Sequence, residues 1–311
     1  MLHSLINALP AKTAIGQHMD RMALFAMNWR IPDMGAALLN CPVTLEEVLE
    51  QTRVRNDQLP PYQLTAPGEH KIQLETRLGN IECKIMVRPA ADVNAPLLLY
   101  HHGLAEFPYT STWQRLLPKD SPISAHTVAI QAPYHNGLTD PVRKGFSSIE
   151  HLYQMFAGSI RIMQHVQDEF ARQGSPYSVV SGVSWGGITS LLYEGLLGKT
   201  RATVPFFASP RLAQAVWDAA QMFGRDLPVT RDELDEMLDF TPIYERIDHR
   251  QVFPVLGEYD LFFRFENHAP VYDKKSLVTL PLTHVGAMWQ SNGTARAHIL
   301  KALAWAADQA N

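Results

Sequence analysis

A serine hydroxyl is a useful nucleophile only when the backbone projects it into the open and a base stands within hydrogen-bond reach. The setting of Ser184 suggests the first condition. It stands in Gly182-Val183-Ser184-Trp185-Gly186-Gly187, a G-x-S-x-G pattern with a second glycine behind it. The run from Tyr177 to Val183 predicts a strand, and the residues from Gly187 to Leu197 predict a helix. Strand, tight turn and helix are the setting that gives the pattern chemical meaning. Such a turn strains the serine backbone. The strand and the departing helix pass so close that Gly182, Gly186 and Gly187 are expected to serve for space or for positive φ. The hydroxyl then projects from the end of a sheet above a helix N-terminus, where N–H groups favour a developing negative charge. The plainer reading of the same residues is a glycine-rich turn with a buried serine.

A base and an orienting acid are then required. Asp260, in Val255-Leu256-Gly257-Glu258-Tyr259-Asp260, follows a strand-like run and a turning glycine, with Glu258 as its local competitor. His284, in Leu280-Pro281-Leu282-Thr283-His284, lies just beyond the last strand-like run. His268 is the competing base, but it follows Asp260 closely and no strand precedes it. The chain holds 13 histidines, so position after a strand, not mere presence, selects His284. An oxyanion needs two N–H donors. Trp185, the residue after the serine, offers one, and Leu104, in His101-His102-Gly103-Leu104 behind an early buried run, offers the other. His101 and His102 read as loop structure rather than as bases. Phe107, Tyr109 and Trp113 are candidates for an acyl pocket and equally for core.

The elements that must position these groups are legible as alternating runs. His70 to Arg77 and Asn80 to Arg88 alternate in the strand manner about Leu78-Gly79-Asn80, which predicts a hairpin. Pro96 to Gly103, Thr127 to Ala132, Tyr177 to Val183, Thr203 to Ala208, Val252 to Leu256 and Ser276 to Leu280 are apolar runs of the kind buried on both faces of a parallel sheet. Helical patterns fall between them, at Ser147 to Gln173 and Thr294 to Ala310 among others. Strands alternating with helices predict an α/β fold with a doubly wound, mostly parallel sheet. The segment 209–250 is longer than one crossover needs and reads as a small helical cap, with helices at Arg211 to Phe223 and Thr230 to Leu238.

Residues 1–65 read as a helical extension ahead of a domain spanning 66–311. Within it, Thr13 to Trp29 has a near-helical spacing of Ile15, Met19, Met22, Ala23, Phe25 and Ala26, a stripe expected to pack on the core. Thr44 suits the N-cap of a short helix over 44–51. The role of this region, as lid, dimer contact or wrapping leader, is open.

The whole chain sets the outer bounds. It has 311 residues, 46% hydrophobic and 19% charged, enough for one large core. A net charge of -4 with no basic block gives no footprint for nucleic acid. Two cysteines, Cys41 and Cys83, rule out a framework of several disulfides and lack metal-ligand spacing. The first ten residues lack a positive segment, and no apolar run approaches the roughly 18 residues of a membrane span, so a cytoplasmic protein without stable membrane insertion is expected. Homo-oligomerisation is left open.

Taken together, these motifs resemble the α/β-hydrolase superfamily. Gly182-Val183-Ser184-Trp185-Gly186 resembles its nucleophile elbow, and His102-Gly103-Leu104 its H-G-x oxyanion loop. Ala132-Pro133-Tyr134-His135-Asn136-Gly137 loosely resembles the loop after the next strand. Gly257 to Asp260 and Thr283-His284 resemble the acid and histidine loops, in the family's order Ser, Asp, His. The resemblance covers roughly residues 65–311. It implies acyl transfer from a small-molecule ester to water: His284 takes the proton of Ser184, Asp260 holds the imidazole tautomer, and Leu104 and Trp185 stabilise the oxyanion. No metal or organic cofactor is implied. A peptidase or acyltransferase on the same residues, or a binding protein that has lost catalysis, are the alternatives.

Overall fold

The apolar runs assemble into one nine-stranded sheet. The computed structural model describes residues 9–30, 43–55, 64–104, 106–137, 139–290 and 292–309. In chain order the elements are α1 (Leu9–Arg30), α2 (Leu45–Glu50), β1 (Arg53–Val54), β2 (Gly68–Thr76), β3 (Gly79–Arg88), β4 (Leu97–His101), α3 (Ser111–Leu116), β5 (His126–Ile130) and α4 (Ile149–Arg172). There follow β6 (Ser178–Val183), α5 (Trp185–Leu197), β7 (Ala202–Phe206), α6 (Leu212–Met222), α7 (Arg231–Leu238), α8 (Thr241–Tyr244) and β8 (Val255–Gly257). The last are α9 (Phe265–His268), β9 (Val278–Leu280), α10 (His284–Gln290) and α11 (Asn292–Asp308). The sequence-predicted strands are trimmed or shifted by a few residues, most at the carboxyl half of the sheet. The runs beginning at Thr203, Val252 and Ser276 pair as Ala202–Phe206, Val255–Gly257 and Val278–Leu280, and Val252 makes only an isolated bridge to Thr203.

Strand order is β1-β2-β3-β5-β4-β6-β7-β8-β9. The hairpin β2–β3 and its neighbours β1 and β5 pair antiparallel, and every pair from β5 through β4 to β9 is parallel. Because strand side chains alternate faces, β4 feeds two cores. Leu97 and Leu99 join Phe156, Ile160 and Met163 of α4 and Ile188 of α5. Leu98 and Tyr100 join Trp113 of α3 and Ala295, Ile299, Ala302 and Ala306 of α11. The spacing of that last set, four, three and four residues, is one face of a helix. Helices therefore cover both faces of the sheet, the layering expected of a parallel α/β design. Trp113 and Tyr109 belong to this core, and Phe107 is exposed.

Parallel pairing aligns the strand ends. His101 pairs with Gly182, Val183 with Phe206, Phe206 with Val255 and Gly257 with Leu280. The chain runs from β4 outward to β5, then returns past β4 to β6. A crevice opens at the carboxyl ends where strand order reverses in this way. The loops after β4, β6, β8 and β9 all leave the sheet on this edge.

Thr44 caps α2 as expected, its side chain accepting from the Glu47 N–H while Glu47 accepts from the Thr44 N–H. The expectation for the preceding helix is corrected. The methionine-bearing stripe of α1 does not face the core: Ile15, Met19, Met22 and Phe25 are 52%, 42%, 56% and 52% exposed. The buried face is Gly16, Asp20 and Leu24. An apolar stripe fixes a helix's rotation only when nothing polar competes, and Asp20 competes through hydrogen bonds described below. Cys83 is a buried free thiol in β3, and Cys41 lies outside the described residues.

Candidate active site

Ser184 sits between β6 and α5 with φ 54° and ψ -117°, a conformation that side chains other than glycine rarely adopt. Its N–H donates to Phe206 O at 2.8 Å, and its carbonyl accepts from Gly187 and Ile188, so the turn is clamped from both sides. Positive φ resides in the serine itself: Gly182, Gly186 and Gly187 all lie outside that region. These glycines serve for space. A Cβ on Gly182 would fall 2.2 Å from Gly186 O, and one on Gly186 would fall 2.2 Å from His101 O and 2.7 Å from His102 O. The obstacles are backbone and cannot rotate away. Gly186→Ala is therefore expected to destabilise the fold by about 3 kcal/mol or more, at or above the upper end of ordinary overpacking. Denaturant unfolding checks this; a midpoint shift under about 1 kcal/mol equivalent would contradict it.

His284 opens α10 and Asp260 follows β8. His284 Nε2 lies 2.9 Å from Ser184 Oγ, and His284 Nδ1 lies 2.8 Å from Asp260 Oδ2. The other carboxylate oxygen, Asp260 Oδ1, accepts from Phe262 N–H at 2.7 Å and Phe263 N–H at 2.9 Å. The acid is thus immobilised by one face and aims the other at the imidazole. The imidazole packs against Phe262 at 4.3 Å and 22°, with Phe263 at 5.7 Å and the edge of Phe207 at 6.5 Å. Burial alone pushes the His284 imidazole toward lower pKa. The Asp260 charge and hydrogen bond, joined by the charge of Asp20, outweigh it, and the net shift is upward from 6.5.

The competitors are elsewhere. Glu258 is exposed. His268 is fully buried beside Phe263 at 5.2 Å, and neither ring nitrogen has a hydrogen-bond partner among the described residues. Burial, reinforced by the nearby Arg211 charge, lowers its pKa to about 3.

The loop after β4 is fixed by groups that the sequence marked only as loop structure. His102 Nε2 accepts from Ala132 N–H at 3.0 Å, so its proton is on Nδ1, which donates to Gly103 O at 2.8 Å. Gly103 O and Leu104 N–H belong to one trans peptide and point in opposite directions. Holding the carbonyl therefore aims the Leu104 N–H. His135 Nε2 in turn binds Leu104 O at 2.6 Å, and Glu106 accepts from Gly103 N–H at 3.3 Å. Burial holds His101, His102 and His135 well below the usual imidazole range, with His101 at about 3 and His135 at about 4, so they stay neutral. The Leu104 and Trp185 N–H groups donate to no other described residue. Motif spacing gave no sign of Glu106, whose contacts depend on how the loop folds back on itself.

No protein-family model and no curated protein matches this chain. Solved structures do. One is Est1E from Butyrivibrio proteoclasticus with ferulic acid bound, 14% identical, covering 72% of this chain and 96% of that one with a TM-score of 0.53. Acetyl xylan esterase 1 from Thermoanaerobacterium is 14% identical over 83% of this chain and 92% of that one, TM-score 0.55. An acylaminoacyl peptidase from Pyrococcus horikoshii is 11% identical over 76% of this chain and 40% of that one, TM-score 0.55. At such identities the likeness is one of architecture. Strand order, the strained serine turn after β6 and these likenesses agree: the chain has the α/β-hydrolase fold.

Proposed function

We propose that this protein is a serine hydrolase that cleaves a small-molecule carboxylic ester through an acyl-enzyme. The single observation that carries the reading is the unbroken hydrogen-bond chain from Ser184 Oγ through His284 to Asp260. In it, His284 Nε2 removes the Ser184 proton as Oγ attacks the ester carbonyl, and Asp260 steadies the imidazolium. The carbonyl oxygen gains negative charge toward the Leu104 and Trp185 N–H groups, a stabilisation worth about 3 kcal/mol per donor. His284 then returns the proton to the leaving alkoxide. Water, deprotonated by the same nitrogen, hydrolyses the acyl-serine. The helices between β7 and β8 are read as a small cap inserted between these strands.

The test is covalent labelling and turnover. Wild-type protein is expected to react with a fluorophosphonate probe at Ser184 alone and to hydrolyse p-nitrophenyl esters. No labelling of well-folded protein would overturn the proposal. Peptide cleavage without ester turnover, or acyl transfer to an added amine or alcohol faster than to water, would replace the esterase reading with a peptidase or an acyltransferase on the same residues.

A further inference from the structure

Asp20 lies on α1, far in sequence from every motif, yet it is fully buried at the site. Its Oδ2 accepts the N–H of Leu261 at 3.1 Å and of His284 at 3.0 Å, and its Oδ1 accepts the N–H of Val285 at 2.8 Å. Leu261 adjoins Asp260, and His284 is the base itself. One carboxylate thus bridges the acid loop and the histidine loop. A second contact fixes α1 in the same place: one turn before Asp20, a Cβ on Gly16 would lie 2.5 Å from Thr283 Oγ1, the residue preceding His284. The glycine lets the helix approach until the carboxylate reaches its donors.

Resting on the hydrolase reading above, we propose that Asp20 is a positioning residue of the reaction, which sets the spacing of Asp260 and His284 by tying their loops together and places a negative charge behind the imidazole. It touches neither substrate nor nucleophile and acts through the backbone of the base. Among the described residues the charged groups acting on His284 are Asp260 and Asp20, and its other side-chain partners include Ser184 and the rings of Phe207, Phe262 and Phe263. Burial, joined by the Asp260 charge, holds the Asp20 carboxyl above the usual carboxylate value, and the His284 charge and the N–H donors of Val285 and Leu261 offset only part of that shift. On this reading α1 is part of the catalytic unit.

Asp20→Asn is the discriminating variant. All three partners are N–H donors, and an amide offers one acceptor oxygen. Its NH2 must face either Val285 or both Leu261 and His284. The expected result is folded protein whose kcat is lower by about 10- to 100-fold, the range for a sub-ångström to ångström misplacement, with KM changed far less. The acid limb of the pH–rate profile, and the His284 pKa followed by NMR titration, should both move to lower pH because an anion behind the imidazole is lost. Gly16→Ala, which keeps the carboxylate and pushes α1 off Thr283, should shift both in the same direction. Folded Asp20→Asn with wild-type kcat and an unmoved His284 titration would overturn the inference. So would a loss of activity that merely tracks the unfolded fraction. If wild-type protein neither labels nor turns over esters, the hydrolase reading fails, and the NMR titration still decides whether Asp20 governs His284.

Discussion

Ser184→Gly is expected to abolish ester turnover and yet leave a more stable protein than Ser184→Ala. Loss of the nucleophile should lower kcat on the order of 10^5-fold or more in both variants, because members of such a unit fail together. The two differ in what happens to the backbone. Alanine keeps the Cβ that makes φ 54° with ψ -117° costly, a strain of about 1–3 kcal/mol. Glycine releases that strain, at a cost of about 0.5–1 kcal/mol for its extra freedom in the unfolded chain. Strain wins, so the glycine variant should be more stable by about 1 kcal/mol, the reverse of the ordinary ranking. Thermal melts of the two variants side by side check it. Alanine the more stable would mean that the turn stores no strain in the serine.

Asp260→Asn is expected to lower kcat by about 10^4-fold with the fold intact, the size of effect known for the wrong imidazole tautomer. The reason is local. Asp260 Oδ1 holds two N–H donors, from Phe262 and Phe263, and Oδ2 holds one, from His284 Nδ1. The amide keeps the greater number of bonds by placing its oxygen on the two backbone donors. Its NH2 then faces Nδ1, which must become an acceptor, so the ring proton moves to Nε2 and blocks proton removal from Ser184.

The variant should also move the acid limb. The raised His284 pKa places the wild-type limb of kcat/KM above 6.5, with activity lost as pH falls through it. Burial is the largest influence and opposes the shift, so removing the Asp260 charge lets burial prevail, and the limb should drop below 6.5. The same shift bears on stability. A raised folded-state value means that protonated His284 stabilises the fold fully below 6.5, and that this contribution disappears as pH rises through the limb. A pH–rate profile of both proteins, with residual activity titrated against the probe, reads the kinetic side. An unmoved limb would detach the pH dependence from Asp260.

The fold was legible wherever a strand was buried on both faces. The runs behind His101 and Val183 carry apolar stretches, Leu97 to Leu99 and Val179-Val180, and the buried Ser181 between Val180 and the turn is accommodated by donating to Val204 O. Strands β8 and β9 are shorter than their sequence runs, since Val252 makes only an isolated bridge and Ser276 lies in the turn before β9. Ser184, Asp260 and His284 were legible because each follows a strand, so position stands in for geometry. His102 was seen, but its tautomer depends on the Ala132 N–H, which comes from the next strand's loop. Asp20 was not legible at all. A lone aspartate on a methionine-bearing helix reads as solvent-facing, and the stripe of Ile15, Met19, Met22 and Phe25 points the helix the opposite way from its buried face.

The placement of α1 has a consequence for how the chain matures. The hydrogen bonds of Asp20 span 241, 264 and 265 residues of sequence. During synthesis α1 emerges early and its partners late. At about 5–20 residues per second the helix waits on the order of 10–50 s for them. Over that interval Asp20 is paired with water alone and the buried Leu24 is without its packing partners, a stage at which nascent chains associate with one another or with chaperones. On the reading of Asp20 as a positioning residue, the alignment of His284 therefore waits until α10 has been synthesised and has docked against α1.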